Sequence, residues 1–408
     1  MTIQLKTKKI PNLRFPGFLG EWEEKKLGEV SKFWNGKAHE QAISENGKYV
    51  VVNSKFISRN GSVRKFSDSQ ASPLKKDDIA IVMSDIPGGK AIGKCFLVDA
   101  VDAYTLNQRI GGIKSKEIES SFLIRILNRN KYFLKFDNGV SQTNLRKDEI
   151  LRCPVVFPAL PEQQKIASFL GAVDEWIGNL KVQKESLEKY KKGMMQKIFS
   201  QEIRFKNNDG KNFPEWEEKK LGDVGKTYNG LTGKAGEDFG LGETFITYKQ
   251  IFDSSEIDIQ KFALVKIGAK EKQSKARFGD ILFTTSSETP LEVGFASVLL
   301  DKNSSPYLNS FSFGIRPNSL SELDPNFSKF FFRSSLFRKE AVKLAQGSTR
   351  YNISKIGFMK IKILLPLILE QQKIAEFLTS IDNLIESKQQ QIAQAELWKK
   401  GLMQGLFV

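Results

Sequence analysis

The chain has 408 residues, 40% apolar and 27% charged, which is the balance of a folded protein and too much length for one ordinary core. Two cysteines, Cys95 and Cys153, stand far apart without metal-ligand spacing, which excludes a disulfide scaffold and predicts two small buried side chains in a reducing cytoplasm. The formal net charge is +16, an excess that selects a polyanionic partner and leaves DNA, RNA and acidic membrane surfaces open.

The first residues, MTIQLKTKKIPNLRF, contain no apolar run of the kind a signal peptide needs. No stretch of about 18 apolar residues follows anywhere, so no membrane span is expected. From residue 21 onward the chain is written twice. EWEEKKLGEV at 21–30 returns as EWEEKKLGDV at 215–224, identical at nine of ten positions. LKKDDIAI at 74–81 is echoed by ARFGDILF at 276–283, GVSQTNL at 139–145 by GSTRYNI at 347–353, and EQQKIASFL at 162–170 by EQQKIAEFL at 370–378. The offset between copies grows from 194 to 202 to 208, so the second copy is 14 residues longer in its middle. A period this long marks a duplicated domain and not a solenoid. The copies agree in their opening segments and closing helices, while 37–70 and 234–275 share almost nothing. One scaffold carrying two different specificities would diverge in this way.

Within each copy, short strands are expected at KYVVVN, DDIAIVM and KCFLVDAV in the first and at GDILFTT and FASVLL in the second. Helical segments follow at SSFLIRILNRNKYFLKF and NFSKFFFRSSLFRKEAVKLA, which together predict an α+β domain. Each copy then closes on a long helix. Pro161 and Glu162 suit a helix start, where a missing N–H and a negative charge are both tolerated. Ile166, Val173, Leu180, Leu187 and Met194 recur every seven residues, with Leu170, Ile177 and Ile198 between them. Ile374, Leu378, Ile381, Ile385, Ile392, Leu402 and Leu406 repeat the stripe. Such spacing is a coiled-coil seam, and a helix of 40 residues would run ~60 Å. Lys184, Lys191, Lys388 and Lys399 interrupt it. The expected organisation is therefore a globular domain at 1–159, a spacer helix at 160–200, a second domain at 201–366 and a distal helix at 367–408. The two helices would pair antiparallel and give the chain a pseudo-two-fold axis. Residues 160–200 hold seven lysines against five acids and 367–408 four against five, so nearly all of the positive excess belongs to the domains. Polyanion binding should lie there, with the helices as spacer.

At the repeated EQQKIA segments the chain resembles the specificity subunits of type I restriction–modification systems. The resemblance rests on the LRFPGF…EW opening, the GD-I and G-[ST] motifs, and Pro-x-x-x-Glu-Gln-x-x-Ile at Pro158–Ile166 and Pro366–Ile374, and it covers nearly the whole chain. It implies a non-catalytic subunit with two target-recognition domains joined by helices, reading a bipartite double-stranded DNA target across a spacer of unspecified bases. It further implies two modification subunits that use S-adenosylmethionine to methylate adenines, and two restriction subunits that use ATP and Mg for cleavage. No cofactor is expected on this chain. Two departures stand out: Lys76-Asp77 replaces Phe-Gly before the aspartate in the first copy, and Val140 occupies the G-[ST] position.

Chemistry of its own is not visible. A Gly-x4-Gly-Lys-Thr loop ending at Thr227 would need glycine where Lys220 stands, and no Pro-Pro or Pro-Asp dipeptide opens a methyltransferase or nuclease signature. The single histidine, His39, excludes a multi-histidine metal site and is expected in a solvated loop. A self-contained methyltransferase or nuclease with drifted motifs is the alternative reading. Candidate DNA contacts come from polar loops rich in Arg, Lys, Asn and Gln, the side chains that form bidentate contacts with guanine and adenine. In the first domain these are Lys55, Arg59, Asn60, Arg64, Lys90, Asn107, Gln108, Arg109, Gln142 and Asn144. In the second they are Tyr248, Lys249, Gln250, Ser286, Ser287, Asn309, Arg350 and Asn352. Gln142 aligns with Arg350 and Asn144 with Asn352.

Overall fold

The computed structural model describes residues 9–408. It resolves into two compact units, one made of the chain up to Leu180 together with Gln391–Val408, the other of Lys181–Gln390. The division falls inside the two long helices, Leu160–Phe199 and Ile368–Leu406, and not at their ends. Each unit thus owns one globular repeat and half of each helix.

In the first unit a four-stranded antiparallel sheet runs in the order Ser31–Asn35, Ile110–Ser115, Ile79–Val82, Cys95–Leu97. Its central strand, IAIV, is buried at every position because both faces are covered. Ile79 and Ile81 face a core shared with Phe122, Leu123 and the long helices, while Ala80 and Val82 face a second core with Val52, Phe56 and Leu106. This two-residue alternation is the strand period. The second core is roofed by another sheet, in which Tyr49–Val52 and Tyr104–Leu106 run parallel.

The second unit repeats the plan. Gly225–Asn229, Ser312–Pro317, Ile281–Thr284 and Ala296–Val298 form the same sheet in the same order. Its roof contains the eight-residue strand Phe239–Ile246, bulged between Phe239 and Glu243, from the stretch where the two copies share no sequence. One face of the main sheet packs a phenylalanine cluster in which Phe283 meets Phe313, Phe332 and Phe358 at 4.9–5.5 Å between ring centroids.

The repeated Pro-x-x-x-Glu-Gln segment proves to be a clamp that seats each long helix on its own domain. Glu162 is buried and accepts two 2.7 Å bonds from Arg14, and Glu370 does the same with Arg204 at 3.2 and 2.8 Å. The Trp216 indole adds a third bond to Glu370 at 3.1 Å. Beside them Gln163 bridges the Pro158 carbonyl and the Glu119 amide, and Gln371 bridges the Pro366 carbonyl and the Asp324 amide. The repeated aspartate is structural as well. Asp78 accepts from the Lys75 amide, and Asp280 from the Arg277 amide, Tyr228 and Arg316, closing the turn before the central strand. Burial pushes the Asp78 carboxyl up, against the pull of that amide. The substitution of Asp77 for glycine is accommodated: Asp77 has φ 70° where Gly279 has φ 84°, a left-handed position that aspartate tolerates.

Within the first unit the helices run antiparallel, since Asp174 pairs with Lys399 at 2.5 Å while Leu13 and Arg14 tie Gly405 and Glu162 together. Within the second, Lys191 pairs with Asp382 at 2.5 Å and Arg204 holds Glu370. Lys191 and Lys399, which interrupt the apolar stripe in sequence, are therefore cross-helix ion pairs. His39 corrects the expectation of a solvated loop: it is 3% exposed, with Nε2 2.8 Å from Oγ1 of the buried Thr105. Among the described residues no helix is long and apolar enough to cross a membrane, and no group of three or more metal-ligating side chains converges.

Candidate nucleic-acid interface

Six residues beyond each repeated aspartate the central strand leaves the sheet and makes a short polar ribbon. In the first domain Ser84–Asp85 pairs antiparallel with Thr143–Asn144, placing Asn144 opposite Ser84. In the second Ser286–Ser287 pairs with Tyr351–Ile353, placing Asn352 opposite Ser286. The equivalence extends to a third segment. Met83 donates its amide to the Arg109 carbonyl at 3.0 Å, and Thr285 donates to the Phe311 carbonyl at 2.9 Å.

The second ribbon brings together Tyr248, Ser286, Ser287, Arg350 and Asn352. With Phe252, Glu288, Glu292 and Phe311, four of these, Asn352 apart, line a recess of about 270 Å³. Tyr248 donates to the Ser286 carbonyl at 2.6 Å and stacks on Phe252. Its phenol is pushed up, chiefly by burial. Ser287 donates to Glu292 at 3.0 Å, and the Arg350 guanidinium lies 5.8 Å from the Phe311 ring centre. Ser286 is 7% exposed and its hydroxyl is buried without a partner. In the first ribbon Gln142 reaches Ser84 Oγ at 2.7 Å and Asn144 Oδ1 at 3.2 Å, while the Asp85 carboxylate accepts amides of Ile86, Ala91 and Ile92.

The other candidates are dispersed. Lys55 is exposed on the short helix Ser54–Ser58, and exposed Arg59 and Asn60 end it, Asn60 at φ 49°. Arg64 is exposed and bonds the Gly61 carbonyl. Lys90 is exposed, with its carbonyl held by Arg129. Asn107 and Gln108 are half-buried in the turn before Ile110, whereas Arg109 is exposed at φ 65°. In the second domain Lys249 is exposed and paired with Asp253. Two candidates are committed to the fold. Gln250 is buried with its amide on the Lys261 carbonyl, and the Asn309 side chain accepts the Phe311 amide at 2.8 Å. Ser84, Asp85, Phe252, Glu292 and Phe311 were not among the sequence candidates. Ser84 was within reach, since it stands six residues after Asp78 as Ser286 does after Asp280.

A second repeated feature is apolar. In the first unit Phe15, Phe169, Trp398 and Trp176 form an edge-to-face ladder with centroids 5.5–6.3 Å apart, and both tryptophans are 47% exposed. The corresponding positions of the second unit are Phe205 and Phe377, 5.6 Å apart, with Tyr190 and Leu384 51% and 53% exposed.

The sequence profile described as the type I restriction modification DNA specificity domain matches the chain twice, at residues 20–189 and 214–397. A type I restriction enzyme specificity subunit, MjaVIII, from Methanocaldococcus jannaschii is 28% identical over 97% of this chain and 93% of its own. Among solved structures, the S subunit of a type I restriction–modification system from M. genitalium covers 98% of this chain and 99% of its own at 15% identity and a TM-score of 0.57. A chain from a study of complex assembly and conformational transition in a type I R-M system covers 97% and 98% at 19% identity and a TM-score of 0.58.

Proposed function

The chain belongs to the type I restriction–modification DNA specificity family and is a non-catalytic specificity subunit; from that premise we propose how it divides the work of recognition. Each globular repeat reads one half of a bipartite double-stranded DNA target through its polar ribbon and the loops around it. The observation that carries this reading is the ribbon itself, built twice on one backbone register and furnished with different side chains. Arg350, Asn352, Ser286, Ser287 and Tyr248 serve the second half-site, and Gln142, Asn144 and Arg109 the first. Lys55, Arg59, Asn60, Arg64, Lys90 and Lys249 supply phosphate contacts around them, since exposed cations and amides outside the ribbon suit the DNA backbone, whose contacts position the duplex without reading it.

Two modification subunits dock on the matched apolar patches at Trp176–Trp398 and at Tyr190–Leu384. Half-exposed large apolar side chains at equivalent places in both units, Trp398 matched by Tyr190 and Trp176 by Leu384, suit two copies of one partner. Those subunits hold S-adenosylmethionine, two restriction subunits hold ATP and Mg, and the assembly works in the cytoplasm. The test is to express the chain with its modification subunit in a methylation-free host and map modified adenines by sequencing. A motif of two fixed half-sites separated by unspecified bases is expected. A continuous motif, or methylation that does not depend on this chain, would refute the reading.

A further inference from the structure

The two ribbons share a backbone and differ in what they present. Register and amide bonds make Gln142 the counterpart of Arg350, and Arg109 the counterpart of Phe311. The amide nitrogen of Gln142 is used inside the domain, by Ser84 and Asn144, so this exposed side chain is left with its carbonyl oxygen as the group it can offer. Arg350 offers only donors. It reaches toward Phe311 and leaves the Ser286 hydroxyl unpartnered, so the place that Gln142 closes in the first domain stays open as a recess in the second. Glu288 and Glu292 line that recess beside Arg350. Carboxylates there repel a phosphate, whereas they accept the amine of a cytosine paired to the guanine that an arginine binds.

Resting on the DNA-reading function proposed above, we infer that positions 142 and 350 are the point at which the two domains demand different bases. Gln142 accepts from the exocyclic amine of adenine or cytosine in the first half-site. Arg350 donates to O6 and N7 of guanine in the second, with Glu292 accepting from the paired cytosine. Phe311 holds the guanidinium plane for this contact, and Arg109, in its place, leaves the first ribbon without that platform.

The experiment exchanges the side chains in the full chain with its modification subunit. Gln142→Arg with Arg109→Phe is made in the first domain, and Arg350→Gln with Phe311→Arg in the second. All four residues are exposed, so the exchanges leave the cores intact, and thermal melting of each variant verifies it. Methylated sites are mapped, and binding is competed with duplexes carrying each base at each half-site position. In the first exchange the position read by Gln142 should change to guanine and any preference set by Arg109 should relax, with the parent site modified about 10- to 100-fold less and the second half-site untouched. The reciprocal exchange should remove one guanine requirement from the second half-site alone. A variant that melts normally yet keeps both parental half-sites overturns the inference. So does equal loss on every duplex with a shallower salt dependence, which marks Arg350 as a phosphate contact. A parent chain that shows no bipartite motif would instead refute the function itself, and the two failures are distinct.

Discussion

Glu370 is fully buried, and its two oxygens accept Arg204 Nε at 3.2 Å, Arg204 Nη2 at 2.8 Å and Trp216 Nε1 at 3.1 Å. The same guanidinium also donates to the Phe213 and Pro214 carbonyls, which ties the segment before the domain to the start of the distal helix. Glu370→Ala removes the buried acceptor, orphans the indole N–H and leaves Arg204 with only Glu215 and the Phe213 and Pro214 carbonyls. Losing one member of a buried pair costs about 3–5 kcal/mol, and an orphaned neutral donor adds about 1–3 kcal/mol. Because Arg204 keeps those other acceptors, the destabilisation should be ~2–4 kcal/mol, read as a lowered denaturation midpoint for the unit that contains Phe283. Glu162→Ala should cost less. The Trp22 indole nitrogen is already buried without a partner, so only the Arg14 contacts are lost. The double replacement Arg204→Met with Glu370→Leu removes both charges together and should recover most of the loss, because desolvation of the ions is no longer required. Urea titration followed by tryptophan fluorescence and far-ultraviolet dichroism measures all four proteins. A loss below ~1 kcal/mol for Glu370→Ala, or a double variant no more stable than Glu370→Ala, would refute a clamp that acts through burial of a matched charge pair.

Three further outcomes follow from local geometry. Gly230 packs so closely that an added Cβ would lie 1.9 Å from the Asn309 carbonyl oxygen, so Gly230→Ala should destabilise its domain by about 1–3 kcal/mol or more in thermal melting, while Gly233→Ala meets no neighbour and is strained only by its φ of 67°. The Cys153 thiol is buried and pushed up to about 12 by desolvation, so it should resist a thiol-specific disulfide reagent at pH 8 until denaturant opens the domain; rapid labelling of the native protein at Cys153 would contradict this. Glu271 is held at about 2, first by Lys234, then by the Gly268 amide and Gln273. A carboxyl depressed on folding contributes stability above its unfolded value, and that contribution fades as pH falls from about 4.5 toward 2. Hydrogen exchange at Gly268 should accelerate over that window in the parent and be pH-insensitive, after correction for intrinsic rates, in Glu271→Gln.

Which parts of this were legible beforehand follows from how local each signal is. The duplication, the two long helices and the short strands are written in runs of neighbouring residues, where a period of two or of three to four places apolar side chains on one face whatever lies elsewhere. Ile166, Leu170, Val173 and Ile177 could be set on one stripe from spacing alone, and all four are buried. The repeated EQQ segment was legible as a signature but not as a clamp, because its partners Arg14 and Arg204 lie 148 and 166 residues away from Glu162 and Glu370. His39, expected in a solvated loop as a lone histidine, is buried, with its ring against Thr105, 66 residues on. The candidate contacts divide for the same reason. Residue type alone put Gln250 and Arg350 on an equal footing, and only the tertiary structure turned one to the Lys261 carbonyl and left the other over Phe311. Phe311 escaped notice because it carries no polar group, and Ser84 because its six-residue spacing from Asp78 was not matched to that of Ser286 from Asp280. They matter because strand pairing sets them beside Gln142 and Arg350, a juxtaposition that sequence separation conceals and hydrogen-bond register decides.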